Sequence, residues 1–133
     1  RRRGRGRGKA SGGAQGRAAC PLAGRVLSPG LEADPGHARA ARQVAGFGGV
    51  VSCGLRGGVS AVGPVLNALR VFTLAESLGG VESLVGHPAT MSHSSLSADE
   101  RAALGIPDNL IRLSVGIEHV DDLLADLDRA LGA

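Results

Sequence analysis

Asn109-Leu-Ile-Arg-Leu-Ser-Val-Gly-Ile-Glu118 alternates without a break, with Ile111, Leu113, Val115 and Ile117 on one side and Arg112, Ser114 and Gly116 on the other. A period of two is the mark of a β-strand, and a wholly apolar side asks for a core beneath it. Arg112 is the one large cation on the polar side, and its neighbours there are small, which leaves room over the sheet for an anion. A guanidinium fork grips a carboxylate through two parallel hydrogen bonds. The competing reading is an Arg on a wetted sheet face, and the strand alone leaves both open.

Working outward, Val71-Phe-Thr-Leu74 is an apolar, β-prone run that predicts one short buried strand. Glu76 and Ser77 follow at its end, and Gly79-Gly80 allow a sharp turn or a close approach to a ligand. Polar side chains placed by a turn at a strand end often build a site, although most such ends are simply turns.

The remaining elements follow from local signals. Arg25 to Leu31 reads as a short strand running into a turn. Asp34-Pro35 predicts an N-cap and first helical position, for a helix over 35–44 that ends near Gly46. Gly48 to Leu55 predicts a strand, and Val59 to Leu69 a helix that Pro64 kinks or starts late. Ser97-Ala-Asp-Glu100 is a capping box opening a helix through Leu104, which Gly105 ends. Val120, Leu123, Leu124, Leu127 and Leu131 share one face of a last helix, Asp121, Asp122, Asp126 and Asp128 cover the other, and Gly132 closes it. The predicted fold class is α+β, an α/β two-layer arrangement of sheet and helices.

Charge divides the chain sharply. Residues 1–25 hold eight of the 15 Lys and Arg and no acid, whereas residues 26–133 hold seven bases and all 12 acids. The basic balance therefore belongs to the N-terminal stretch, and a nucleic-acid role inferred from overall charge does not extend to residues 26–133. Residues 1–24 lack the apolar side chains needed to offset ordering entropy and read as a disordered Arg/Gly-rich tail. Their Arg-Gly alternation resembles RNA-binding segments; the simpler account is a stretch not native to the domain. With two Phe and no Tyr or Trp, the core has to be aliphatic. Cys20 and Cys53 form no metal-ligand pattern, and Cys53, in an apolar run, reads as a buried thiol. His87, His93 and His119 lack metal-ligand spacing and read as structural or surface groups, and His37 as a solvated helix residue. No apolar run is long enough for a transmembrane helix, and the cytoplasm is the default location.

Ala75-Glu-Ser-Leu-Gly-Gly-Val-Glu-Ser-Leu84, His87-Pro-Ala89 with Met91 and His93, and Leu110-Ile-Arg-Leu-Ser-Val-Gly-Ile-Glu118 together resemble a known family. It is the C-terminal domain of the trans-sulfuration enzymes, the pyridoxal-phosphate-dependent family of Cys/Met metabolism. The likeness runs in order from about residue 25 to 132, taking in Pro29-Gly-Leu31, Gly46-Phe-Gly-Gly49 and Asp121-Asp-Leu-Leu124. It is greatest toward cystathionine γ-synthase and γ-lyase.

The resemblance implies a small, mostly antiparallel sheet covered by helices, as in fold-type I enzymes. It implies that Ser77 and Arg112 hold a substrate's α-carboxylate, with Leu78 lining the site. It also implies that Glu76 pairs with the distal ammonium of cystathionine; a bond from Glu76 to nearby backbone is the other reading. The implied cofactor is pyridoxal phosphate, yet the one lysine, Lys9, lies outside every matching motif. The expectation is a substrate-carboxylate-binding part of a Cγ elimination or replacement enzyme. It would lack its cofactor lysine, be inactive alone, and work with a missing cofactor domain in a homo-oligomer, a tetramer by resemblance. A non-catalytic orphan domain with an RNA-binding tail is the alternative. Synthase, lyase and sulfhydrylase are not separated by these residues.

Overall fold

The central strand of the sheet is the alternating stretch around Arg112. The computed structural model describes residues 23–132. Its strands are β1 (Ala23–Leu27), β2 (Val50–Leu55), β3 (Thr73–Leu74), β4 (Leu84–Gly86) and β5 (Leu110–Ser114), in the order β1-β2-β5-β4-β3. The pairs β1–β2, β2–β5 and β4–β5 are antiparallel, and the edge pair β3–β4 is parallel. The helices are α1 (His37–Gln43), α2 (Val62–Ala68), α3 (Ala98–Ala103) and α4 (Val120–Leu131). The mainly antiparallel sheet with helices is the expected α+β arrangement.

Alternation decides which face is covered. Cys53 and Leu55 of β2, Val85 of β4, and Ile111 and Leu113 of β5 are buried in one cluster with α2 and α4 residues, among them Val65, Leu123, Leu127 and Leu131. Each such aliphatic side chain contributes roughly 1.5–3 kcal/mol on burial. Pro64 falls in the first turn of α2, where its missing N–H costs nothing, and a 3-10 turn over Val59–Ala61 precedes the helix. This is the late start that the proline predicts.

Several expectations are corrected. β5 ends at Ser114, so the alternation stops there and Ile117 is 59% exposed. The run 71–74 is not one buried strand: only Thr73 and Leu74 pair, both exposed at the sheet edge, while Phe72 is buried. β4 was not anticipated, because three residues are too few to show a period. α1 starts at His37 rather than Pro35. The Asp34 carboxylate is occupied by the Gly36 N–H at 2.8 Å, closing a turn two residues on instead of capping the helix. His37 is not solvated: it donates from Nδ1 to the Pro29 carbonyl at 2.8 Å and stacks on Phe47 at 5.1 Å.

The expected boundary after residue 24 falls inside β1, whose first residue, Ala23, is fully buried. The Arg/Gly-rich segment ahead of it, residues 1–22 with Cys20 and Lys9, lies outside the described residues.

The largest correction concerns Asp126, expected on the solvent face of α4 and found 1% exposed. Its carboxylate accepts from the backbone N–H of Arg70 and Val71 at 2.8 Å and of Phe72 at 3.0 Å. Arg129, one turn later, pairs with the same carboxylate. These three amides sit where the chain leaves α2 for β3 and have no ladder partner, so the acid supplies one. α3 opens on the expected capping box: Glu100 N donates to Ser97 Oγ at 3.3 Å, and Ser97 N donates to Glu100 Oε2 at 2.8 Å.

Two outcomes follow from these ties. Asp126→Ala strands three backbone donors at roughly 1 kcal/mol each, a loss of about 3 kcal/mol in denaturant unfolding. Asp126→Asn should recover part of that loss, since one oxygen still accepts while the amide NH2 cannot. The hydrogen bonds from Ser97 hold the Glu100 carboxyl below its ordinary value of 4.5. With the folded value depressed, the contribution of the cap is present above pH 4.5 and is lost as pH falls through the lower folded value. Protection of the α3 amides from exchange should therefore fall in that acid range, and Ser97→Ala, which removes the hydroxyl bond to Glu100 but keeps the backbone one, should weaken the pH dependence.

Candidate functional site

Arg112 stands mid-strand on the sheet face opposite α2 and α4, where its Cα partners are Ser52 on β2 and Gly86 on β4. Small neighbours on both sides leave the guanidinium lying over Gly86: a Cβ built there would be 3.9 Å from Arg112 Nη2 and 3.2 Å from the Ala75 carbonyl oxygen. The ion pairs among the described residues are Arg101–Asp108, His119–Asp121 and Arg129–Asp126, and Arg112 belongs to none of them. A half-buried guanidinium beside glycine with its fork uncommitted is a ready anion anchor.

The loop beside it carries the other expected residues. Ala75 N donates to the Val85 carbonyl at 2.9 Å, at the level of Arg112 and Gly86. Gly79, with φ +77°, donates its N–H to Ser114 Oγ at 2.8 Å, two residues beyond Arg112 on the same strand. Glu76, Ser77 and Leu78 lie between these two anchor points and are exposed; Leu78 is 52% exposed despite being apolar. The Glu76 and Ser77 side chains have no hydrogen-bond or ionic partner among the described residues, so Glu76 does not make the backbone bond that was its other reading.

Ser114 and Gly116 do something other than leave room for an anion. Ser114 is committed to the Gly79 amide. A Cβ at Gly116 would stand 2.3 Å from the Val81 carbonyl oxygen and 2.6 Å from the Glu82 carbonyl carbon. Glycine is required there so that the returning loop can lie against β5's extension. Sequence reasoning missed Glu118 and Ser83. Glu118 Oε1 accepts from Ser83 N at 2.6 Å, Oε2 accepts from Ser83 Oγ at 2.7 Å, and that Oγ accepts from Gly116 N at 2.9 Å. The available signal was an acid just past a strand end, weak because exposed acids are common there.

The histidines are spent elsewhere. His87 is buried, with Nε2 donating to the Asp108 carbonyl at 2.7 Å, which leaves Nδ1 facing Thr90 Oγ1 at 2.8 Å. His93 meets Ser92 Oγ at 2.9 Å, and His119 caps α4. A cavity of about 250 Å³ is lined by Arg25, Arg56 and Asn109 among others, and none of the four expected site residues reaches it.

The family model described as Cys/Met metabolism PLP-dependent enzyme matches residues 18–132. Cystathionine gamma-synthase of Mycobacterium tuberculosis (strain ATCC 25618 / H37Rv) is 54% identical over 112 residues, covering 84% of this chain and 28% of that protein. Cystathionine gamma-lyase of Dictyostelium discoideum is 50% identical over 111 residues, covering 84% and 29%. Among solved structures, cystathionine gamma synthase from Xanthomonas oryzae pv. oryzae, in complex with cystathionine, superposes with a TM-score of 0.91 at 50% identity. That match covers 96% of this chain and 33% of the other. The chain thus spans under a third of the length of the curated relatives it matches. Its fold, its ordered motifs and these matches agree, and the chain belongs to the Cys/Met metabolism PLP-dependent enzyme family.

Proposed function

We propose that this chain supplies the substrate-carboxylate anchor of a cystathionine γ-synthase- or γ-lyase-type enzyme, acting at Cγ of sulfur amino acids. The observation that carries the reading is the uncommitted Arg112 guanidinium over Gly86, beside the loop that bears Ser77. In this reading Arg112 takes both carboxylate oxygens through its fork, and Ser77 adds a bond from its hydroxyl or backbone. Fixing the carboxylate fixes the direction of the Cα–H bond, which is how positioning lowers the barrier to proton removal. Leu78 lines the site, and Glu76, exposed and without a partner, pairs with the distal ammonium of cystathionine. Support comes from relatives named for cystathionine chemistry and from a neighbour solved with cystathionine bound.

The family implies pyridoxal phosphate, whose attachment needs a lysine. No lysine occurs among the described residues, and Lys9 lies outside them, so the residues present do not fit the cofactor. In the proposed enzyme the cofactor is held by another part of the protein or its assembly, a cytoplasmic homo-oligomer of tetrameric type. No helix among the described residues is long and apolar enough to cross a membrane.

The test is a chimera. Residues of this chain replace the matching segment of the Mycobacterium tuberculosis enzyme, and cystathionine formation is measured. The chimera should turn over, and Arg112→Ala should lower kcat/KM at least about 10²-fold, since two bonds to a charged group at about 1.5–3 kcal/mol each are lost. Arg112→Lys should recover only part, because a point charge does not reproduce the fork. Near-normal kcat/KM in Arg112→Ala would refute the anchor. In the same chimera Glu76→Ala should weaken inhibition by added cystathionine more than inhibition by methionine, which has no distal ammonium; equal effects on both would remove Glu76 from the site.

A further inference from the structure

We propose that Glu118, acting through Ser83, is a positioning residue for the carboxylate site, a role that rests on the reading of Arg112 given above. The argument begins with topology. β3 and β4 are parallel neighbours joined by residues 75–83, so the chain must travel back along the strands before β4 can start. It leaves beside Arg112 at Ala75, meets Ser114 at Gly79 and reaches the level of Gly116 and Ile117 at Val81, whose carbonyl accepts from Ile117 N at 2.8 Å. The return limb then ends on Ser83, fully buried, where Glu118 takes both the amide and the hydroxyl.

A carboxylate accepting two short hydrogen bonds is the strongest of these anchors, and it is the one furthest from Arg112 along the path. Ser83 Oγ relays it to Gly116 N, which ties the anchor to the extension of β5 that carries Arg112. Glu76, Ser77 and Leu78 have no side-chain bonds among the described residues to set their place. Their position is inherited from the anchors at Ala75 and Gly79 on either side, and Glu118 holds the limb that returns from Gly79 to Ser83.

The test is amide exchange and acetate titration on this chain, followed by NMR. Without ligand, Glu118→Ala should speed exchange at Gly79 and Ser83 at least about tenfold, the expected scale for losing a buried bond to a charged group. Amides of Val51–Leu55 and α4 should keep their rates. Glu118→Gln should restore the loop to within about threefold, since one side-chain end still accepts from Ser83 N and the other donates to Ser83 Oγ. Ser83→Ala is the second variant should Glu118→Ala fail to fold, and should speed exchange at Gly116. In the unaltered chain acetate should shift Arg112 Nε where acetamide does not, and Glu118→Ala should weaken that response. Faster exchange spread evenly over β2 and α4, or none, overturns the role. An acetate response that Glu118→Ala leaves untouched overturns the role alone. No acetate response in the unaltered chain overturns the carboxylate reading and this role with it, whatever the exchange pattern.

Discussion

The pleat of β5 is the constraint on which the rest depends. A central strand has two faces and no freedom to choose which residues go to each, because successive side chains must alternate. Ile111 and Leu113 therefore commit one face to the core, where they are 1% and 4% exposed. The same pleat commits Arg112 and Ser114 to the other. A one-residue slip in register would put the guanidinium into an aliphatic core and two large apolar side chains over the site. Register here is thus enforced by core burial, and the placement of the site comes with it.

The core itself is built from ordinary aliphatic packing, and its polar inclusions do the directing. Asp126, Ser83 and His87 are buried, and each ends irregular backbone that no strand or helix satisfies. Asp126 collects three amides between α2 and β3. Ser83, with Glu118, collects the end of the 75–83 loop, and His87 bridges Thr90 to the Asp108 carbonyl ahead of β5. Buried polar groups cost stability unless satisfied, so each of these contacts specifies one path for the chain. Asp126 and Ser83 so specify the two paths that enter and leave the loop over Arg112.

That division of labour explains an unusual exposure. Leu74, Leu78, Val81 and Ile117 are all more than half exposed, and all sit on or beside the same loop. The chain belongs to the Cys/Met metabolism PLP-dependent enzyme family, and the relatives it matches are about three times as long. A loop whose course is held by polar anchors needs no apolar burial of its own to keep that course.

By itself the sequence determined most of the elements, though not β4 or the extent of β3, and the family. The period of two around Arg112, the Ser97–Glu100 box and the Leu stripe of α4 are local, and local geometry reads directly from residue order. The ordered motifs named the family, and with it came the expectation that Arg112, Ser77, Leu78 and Glu76 form a site. The tertiary structure alone decided which polar residues were partners and which were surface. Asp126 looked like one of four solvated acids on α4, and only the three amides brought to it from residues 70–72 made it a core residue. Gly116 looked like space for a ligand, and only the arrival of Val81 showed that the space was already taken. Nothing local pointed to the partners of Glu118 and Ser114, because those partners are 35 residues away in the chain. Long-range hydrogen bonds are chosen by how strands stack, and periodicity within one segment holds no information about which distant amide will need an acceptor.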